Sequence, residues 1–343
     1  MFYISSQGHS ATGWLAKVLS MHPKIVCWHG TRSIPPFPAG VKDMYVEDFI
    51  NGLMQCEKAS MEEKIFGACH GFYGIKAKDC VERKSGTFLA ILRHPVMRVN
   101  SIFYPNAVRI IENDEGKMTD NGLIYDFLIE AETTLNRLFI DVVNEKTIRR
   151  EKRKHLRTTK KRFKNKLKKY GYLKSYNQIK ANVKTNSIYR LIMKNNDEFV
   201  NKLSNLNKKK SIKPNKYEYF KDLCKSFIGA CARTFNTDSV VYNACAYNQI
   251  VKMEDMTVSP AYFNEAILQS VLKESADEEY LARVFLVKDH VNIHSRIKLK
   301  PLEIYSKWPK AFQNYFDEKL ENSSAKRMYK YFDYDIPNSG TLC

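Results

Sequence analysis

The chain opens on an apolar run, Phe2 to Ile4, that leads directly into a small-residue turn, Gln7-Gly8-His9-Ser10-Ala11-Thr12-Gly13, and then into a helix-like pattern starting at Trp14 and Leu15. Strand, tight turn, helix is a layout that turns backbone N–H groups and a helix N-terminus toward one point, which suits an anion. It implies an α/β fold with a central parallel sheet flanked by helices, and a phosphate-like ligand as the first partner to test. The turn is not a nucleoside triphosphate loop. Gly8 and Gly13 have the spacing of G-x-x-x-x-G-K-[ST], but Trp14 stands where the lysine should reach the phosphates. By itself the turn is equally an ordinary strand-to-helix connection.

A second signal lies in GTFLAILRHPVMRVNSIFY, residues 86–104. Phe88 to Leu92 reads as a short buried strand, and Pro95 suits the first turn of a following helix. Arg93 then sits at the strand exit and Ser101 about two turns into the helix. A fixed guanidinium with a hydroxyl can hold a phosphate. A surface arginine and an unremarkable helix serine would give the same letters.

Together the two segments resemble the sulfotransferase family that uses 3′-phosphoadenosine 5′-phosphosulfate (PAPS). His9-Ser10-Ala11-Thr12-Gly13-Trp14-Leu15 is similar to that family's R-S-G-T-T-W-L loop, and Arg93 to Ser101 to its R-x-P-x-x-R-x-x-S segment. The resemblance implies that Gly8, His9, Ser10, Ala11, Thr12, Gly13 and Trp14 hold the 5′-phosphosulfate, and that Arg93 and Ser101 hold the 3′-phosphate. It departs at His9, where the family has Arg or Lys.

A third stretch, VLSMHPKIVCWHGTRSIPP at residues 18–36, resembles a segment of protein-tyrosine sulfotransferases through Leu19, His22, Pro23, Cys27, Thr31, Arg32, Ile34 and Pro35. Ile25 to Cys27 reads as a second strand. His29 to Arg32 follow at its carboxyl end, where open α/β sheets place ligands. The family's carboxylate base aligns with Gly30, so the nearest group able to take a proton is His29. His70, in the buried run FGACHG, is the rival base, although a core histidine reads the same way. Lys78 is a third candidate, through a loose match to an N-K-D-P-like segment. Later matches are YNQIVKMEDM (247–256), RIKLKPLEIYSKWP (296–309) and MYKYFDYDIP (328–337), with Ser295 and Arg296 as candidates to close over the nucleotide.

The resemblance touches residues 1–104 and about 240–337 and implies a single sulfotransferase domain over 1–343, of P-loop-like fold; the middle, which it does not cover, is expected to be a largely helical insertion at 120–235. The activity it implies is in-line transfer of a sulfuryl group from PAPS to an acceptor hydroxyl. A histidine is the base, and no metal is needed. Thr31 and Arg32 point toward an acidic peptide as acceptor, and a charged glycan or a small alcohol or phenol would use the same core. The competing reading is a catalytically weak relative that binds a nucleotide or a polyanion, because both the loop cation and the acidic base are altered.

Composition limits the rest. The 343 residues carry 44% hydrophobic and 12% aromatic side chains, globular values. No apolar span of about 18 residues and no apolar leader after Met1 are present, so a cytoplasmic protein with no membrane span is expected. The eight cysteines form no C-x-x-C pair, and reduced, structural thiols are expected. Residues 146–216 hold 25 Lys or Arg and 3 Asp or Glu, although the whole chain is +19. The basicity therefore belongs to one stretch, where Leu156, Phe163, Leu167 and Tyr170 share a helix face. A solvated arm and an anion-attracting patch for an acidic acceptor both fit it. A nucleic-acid surface is disfavoured, since no such binding motif accompanies the charge, and an anionic membrane surface has similar weight.

Overall fold

The computed structural model describes residues 1–6, 11–29, 46–60, 62–69, 74–115, 123–145, 216–287 and 299–337. Five strands form one parallel sheet: β1 (Phe2–Ser5), β2 (Ile25–His29), β3 (Ile65–Cys69), β4 (Thr87–Leu92) and β5 (Ile250–Lys252), in the order β2-β3-β1-β4-β5. Helices flank it, beginning with α1 (Thr12–Leu19), α2 (Val46–Ala59), α3 (Lys78–Glu82) and α4 (Pro95–Glu115). The strands expected at 2–5 and around Phe88–Leu92 are present, and β2 runs on to His29. Near-continuous apolar runs make these strands because a parallel sheet is covered on both faces.

Side chains alternate between two cores. Phe2, Ile4, Ile25, Cys27, Cys69, Leu89, Ile91 and Val251 share one core with Leu15, Val18 and Leu19 of α1 and with Phe263, Ile267 and Tyr280. On the other face Tyr3 lies between Phe49 of α2 and Phe88, each ring 6.1 Å away. Gly67 stands opposite Phe2, and a Cβ on it would lie 2.4 Å from the Phe2 ring, so the glycine makes room for that ring. The Cys27 and Cys69 thiols lie 3.2 Å apart in this core, and the seven cysteines among the described residues are free thiols. Among the described residues no helix is long and apolar enough to cross a membrane.

The chain divides into two compact units. One comprises Met1–Arg109, Met118–Glu132 and Ser226–Cys343 and contains the sheet; the other comprises Ile110–Lys117 and Thr133–Lys225. The second unit's described part includes buried Leu135, Leu138, Phe139, Leu223 and Cys224, with a Lys221–Glu145 ion pair at 3.0 Å. The basic stretch 146–216, apart from Lys216, lies outside the described residues.

In the first unit, α4 runs through Pro105, which has no N–H to give the Ser101 carbonyl one turn earlier. Deep in that unit Arg98 of α4 is ion-paired with Asp238 of the helix Lys216–Ala244, and the Tyr329 hydroxyl donates to the same carboxylate. Arg98 and Asp238 are each 1% exposed, so neither charge can fall back on water. Asp238→Ala is therefore expected to cost about 3–5 kcal/mol in chemical denaturation, with Arg98→Met/Asp238→Leu recovering most of it. A cost near zero for the single change would contradict the buried pairing.

Candidate functional site

The strand order reverses direction between β1 and β4. From β1 the chain proceeds to β2 on one side, and from β4 to β5 on the other. Ligands of open α/β sheets bind where neighbouring strands diverge in this way. β1 and β4 are direct partners, with Phe2 opposite Thr87 and Ser5 opposite Ala90. Their exits are thus neighbours in the sheet, about 5 Å apart laterally.

On the β1 side, residues 7–10 lie outside the described residues, and with them Gly8, His9 and Ser10. The chain is described again at Ala11, which has φ 54° and ψ 20° and caps α1 without a side-chain hydrogen bond. An alanine in the left-handed region carries strain of about 1 kcal/mol or more, a feature that collects at binding sites. The Leu15 N–H is the first to bond within the helix, to the Ala11 carbonyl at 3.0 Å. The N–H groups of Thr12, Gly13 and Trp14 precede it at the positive end of α1. Trp14 contributes its backbone here, because its indole is buried against Phe263 and Phe285.

The exposed His29 ends β2, two strands from β1, yet its imidazole reaches the start of α1. His29 Nε2 lies 3.3 Å from Thr12 Oγ1, and a Cβ on Gly13 would sit 4.0 Å from the same nitrogen. His29 stands opposite Cys69, the last residue of β3, so the chain leaves both strands at one level. His70, Gly30, Thr31 and Arg32 lie outside the described residues, as do Ser295 and Arg296.

On the β4 side Arg93 follows Leu92 and is only partly exposed. Burial lowers its pKa, the Glu254 carboxylate opposes that, and the neighbouring Arg98 adds to it; a guanidinium keeps its proton regardless. The next residue, His94, is clamped. Its backbone N–H donates to Glu254 Oε1 at 3.0 Å, and its Nδ1 accepts from the Val96 N–H at 3.2 Å. The ring proton is therefore on Nε2, which donates to the Asp335 carbonyl at 2.8 Å. The Tyr334 hydroxyl bonds Glu254 Oε2 at 2.7 Å and lies 3.3 Å from the Leu92 carbonyl.

Two expected site residues are engaged elsewhere. The Ser101 hydroxyl donates to the Arg98 carbonyl at 2.9 Å within α4, so it must rotate before it can donate to a phosphate. Lys78 is tied to Glu82 at 2.7 Å along α3, and Glu82 also accepts from Gln249 at 2.5 Å. The structure thus joins His29 to Thr12, and sets Arg93 at the neighbouring strand exit, but no described contact brings Lys78 to them. Glu254 and Tyr334 had no role in the sequence reading. Both lie in segments matched above, YNQIVKMEDM and MYKYFDYDIP: Glu254 comes two residues past the end of β5, and Tyr334 falls in the YDIP turn. Among the described residues no group of three or more His, Cys, Asp or Glu is placed to hold a metal ion.

Comparisons with protein-family models, with curated proteins and with solved structures found no match to this chain.

Burial lowers the pKa of His94, and that of His22 likewise. As pH falls through the imidazole range the unfolded chain binds these protons first, so stability present above that range is lost on acidification. Denaturation midpoints should drop between about pH 7 and pH 5. His94→Gln is expected to be less stable at neutral pH but to show a shallower acid loss; an acid limb as steep as the parent's would contradict a neutral, buried His94.

Proposed function

We propose that this chain is a sulfotransferase that moves a sulfuryl group from PAPS to an acceptor hydroxyl, on a P-loop-like sulfotransferase fold. One observation carries the reading: β1 and β4 are hydrogen-bonded neighbours, so the elements that follow them, α1 and the Arg93 segment, start from adjacent strand ends. A donor with a phosphosulfate at one end and a phosphate on the ribose asks for two anion sites a nucleotide's width apart. The resemblance of residues 9–15 and 93–101 to the family's two phosphate segments falls on the stretches that follow those two strands.

In this reading the N–H groups of Thr12, Gly13 and Trp14, with the Thr12 hydroxyl, hold the 5′-phosphosulfate, where the helix terminus favours negative charge. The same dipoles act on the charge that builds on the departing 5′-phosphate oxygen. Arg93 holds the 3′-phosphate, with Ser101 once its hydroxyl turns from the Arg98 carbonyl. His29 takes the proton of the acceptor hydroxyl as the new S–O bond forms and the bond from sulfur to the nucleotide breaks. Its contact with Thr12 sets the imidazole beside the hydroxyl that would hold the sulfate. An acidic peptide or a charged glycan is the acceptor class that the Thr31-Arg32 match and the basic stretch 146–216 favour.

Calorimetry with adenosine 3′,5′-bisphosphate tests the nucleotide site. Binding should weaken about 10- to 100-fold in Arg93→Ala, the worth of a charge-assisted contact. No binding by the parent chain, or an unchanged affinity in the variant, would overturn the reading. Labelled PAPS with a panel of peptides, glycans and phenols then tests transfer itself. Nucleotide binding without transfer to any of them would favour the catalytically weak relative.

For the base, His29→Ala should lower kcat by about 10²- to 10⁴-fold at constant nucleotide affinity. Loss of turnover in His70→Ala alone would move the role to His70.

A further inference from the structure

Three segments far apart in sequence meet at the exit of β4. The first is Leu92-Arg93-His94; the second is Glu254, in the first turn of the helix Met253–Val258; the third is the turn Tyr334-Asp335. Glu254 is the hub, because one of its carboxylate oxygens accepts from the His94 backbone and the other from the Tyr334 hydroxyl. Around it the Tyr334 ring meets the His94 ring edge-on at 5.3 Å, and the Lys252 ammonium sits 5.0 Å from the centre of the Tyr334 ring. Tyr334 is 7% exposed and His94 4% exposed, so these bonds are shielded from competing water. The peptide that carries Arg93 is therefore held on both sides, at the Leu92 carbonyl and at the His94 N–H. Glu254 also lies close enough to Arg93 to favour its charged form.

We propose that Glu254 and Tyr334 are positioning residues: they strap the turn at 334–335 across the exit of β4 and fix Arg93 where it receives the 3′-phosphate. The proposal rests on the nucleotide reading above. A loosely held arginine pays for its ordering when the ligand binds, and a pre-ordered one does not. The strap therefore acts on the 3′-phosphate and leaves the 5′ end of the nucleotide alone.

The test compares adenosine 3′,5′-bisphosphate with adenosine 5′-monophosphate, which lacks the 3′-phosphate. The parent chain should prefer the bisphosphate. Tyr334→Phe keeps the ring but removes the hydroxyl bonds, and should cut the bisphosphate affinity about tenfold while the monophosphate affinity stays the same. A merely structural tyrosine would weaken both nucleotides together, or neither. Glu254→Ala should do at least as much as Tyr334→Phe, and Glu254→Gln, which keeps an acceptor for the His94 N–H, should do less than Glu254→Ala. Tighter bisphosphate binding in Glu254→Gln would mean that the carboxylate competes with the phosphate for Arg93, and it overturns the strap. An undiminished preference in Tyr334→Phe and Glu254→Ala overturns the strap and leaves the nucleotide reading standing. A parent chain that binds neither nucleotide overturns both.

Discussion

The pairing of β1 with β4 is the constraint on which the rest of the site depends. Parallel strands cannot be joined by a tight turn, so these two neighbours are separated by more than eighty residues of chain and two intervening strands. Their register is held by burial on both faces. Phe2 and Ile4 point into the α1 core, and Tyr3 points toward Phe49 and Phe88. A slip of one residue would send each of these to the opposite face. The same register that satisfies the core sets Ser5 against Ala90, and so brings the end of β1 beside the exit that carries Arg93.

Polar geometry then divides the edge into two kinds of place. At the start of α1 the chain accepts a left-handed alanine that supplies no capping side chain, and the N–H groups of Thr12, Gly13 and Trp14 stand at the helix terminus. Around Arg93 the opposite holds: His94, Glu254 and Tyr334 satisfy one another, and the backbone there is rigidly set. The α1 terminus and Arg93 thus follow neighbouring strands, and His29 reaches the first of them through Thr12.

Local pattern made part of this legible. The apolar runs at 2–5 and 87–92, the small-residue turn and Pro95 all announce strand, turn and helix without tertiary information. Residue 29 at the end of a strand was readable as well, because the second apolar run stops there. Long-range partners were not readable. Asp238, which neutralises Arg98 from 140 residues away, gives no local sign, and neither does the meeting of Glu254 with Tyr334. The present partner of Ser101 was not readable either: a serine inside a helix can give its proton to a carbonyl three residues back, as Ser101 does to Arg98. The Lys78–Glu82 pair lay in plain view at helical i,i+4 spacing, where an ion pair is the ordinary outcome.

If the chain is a PAPS-dependent transferase, two strand exits hold opposite ends of one nucleotide. A crystal structure of the chain with adenosine 3′,5′-bisphosphate decides this. It should contain a single nucleotide with its 5′-phosphate on the N–H groups of Thr12 to Trp14 and its 3′-phosphate on the Arg93 guanidinium. A nucleotide that touches one exit and turns away from the other, or two molecules at separate places, would contradict it.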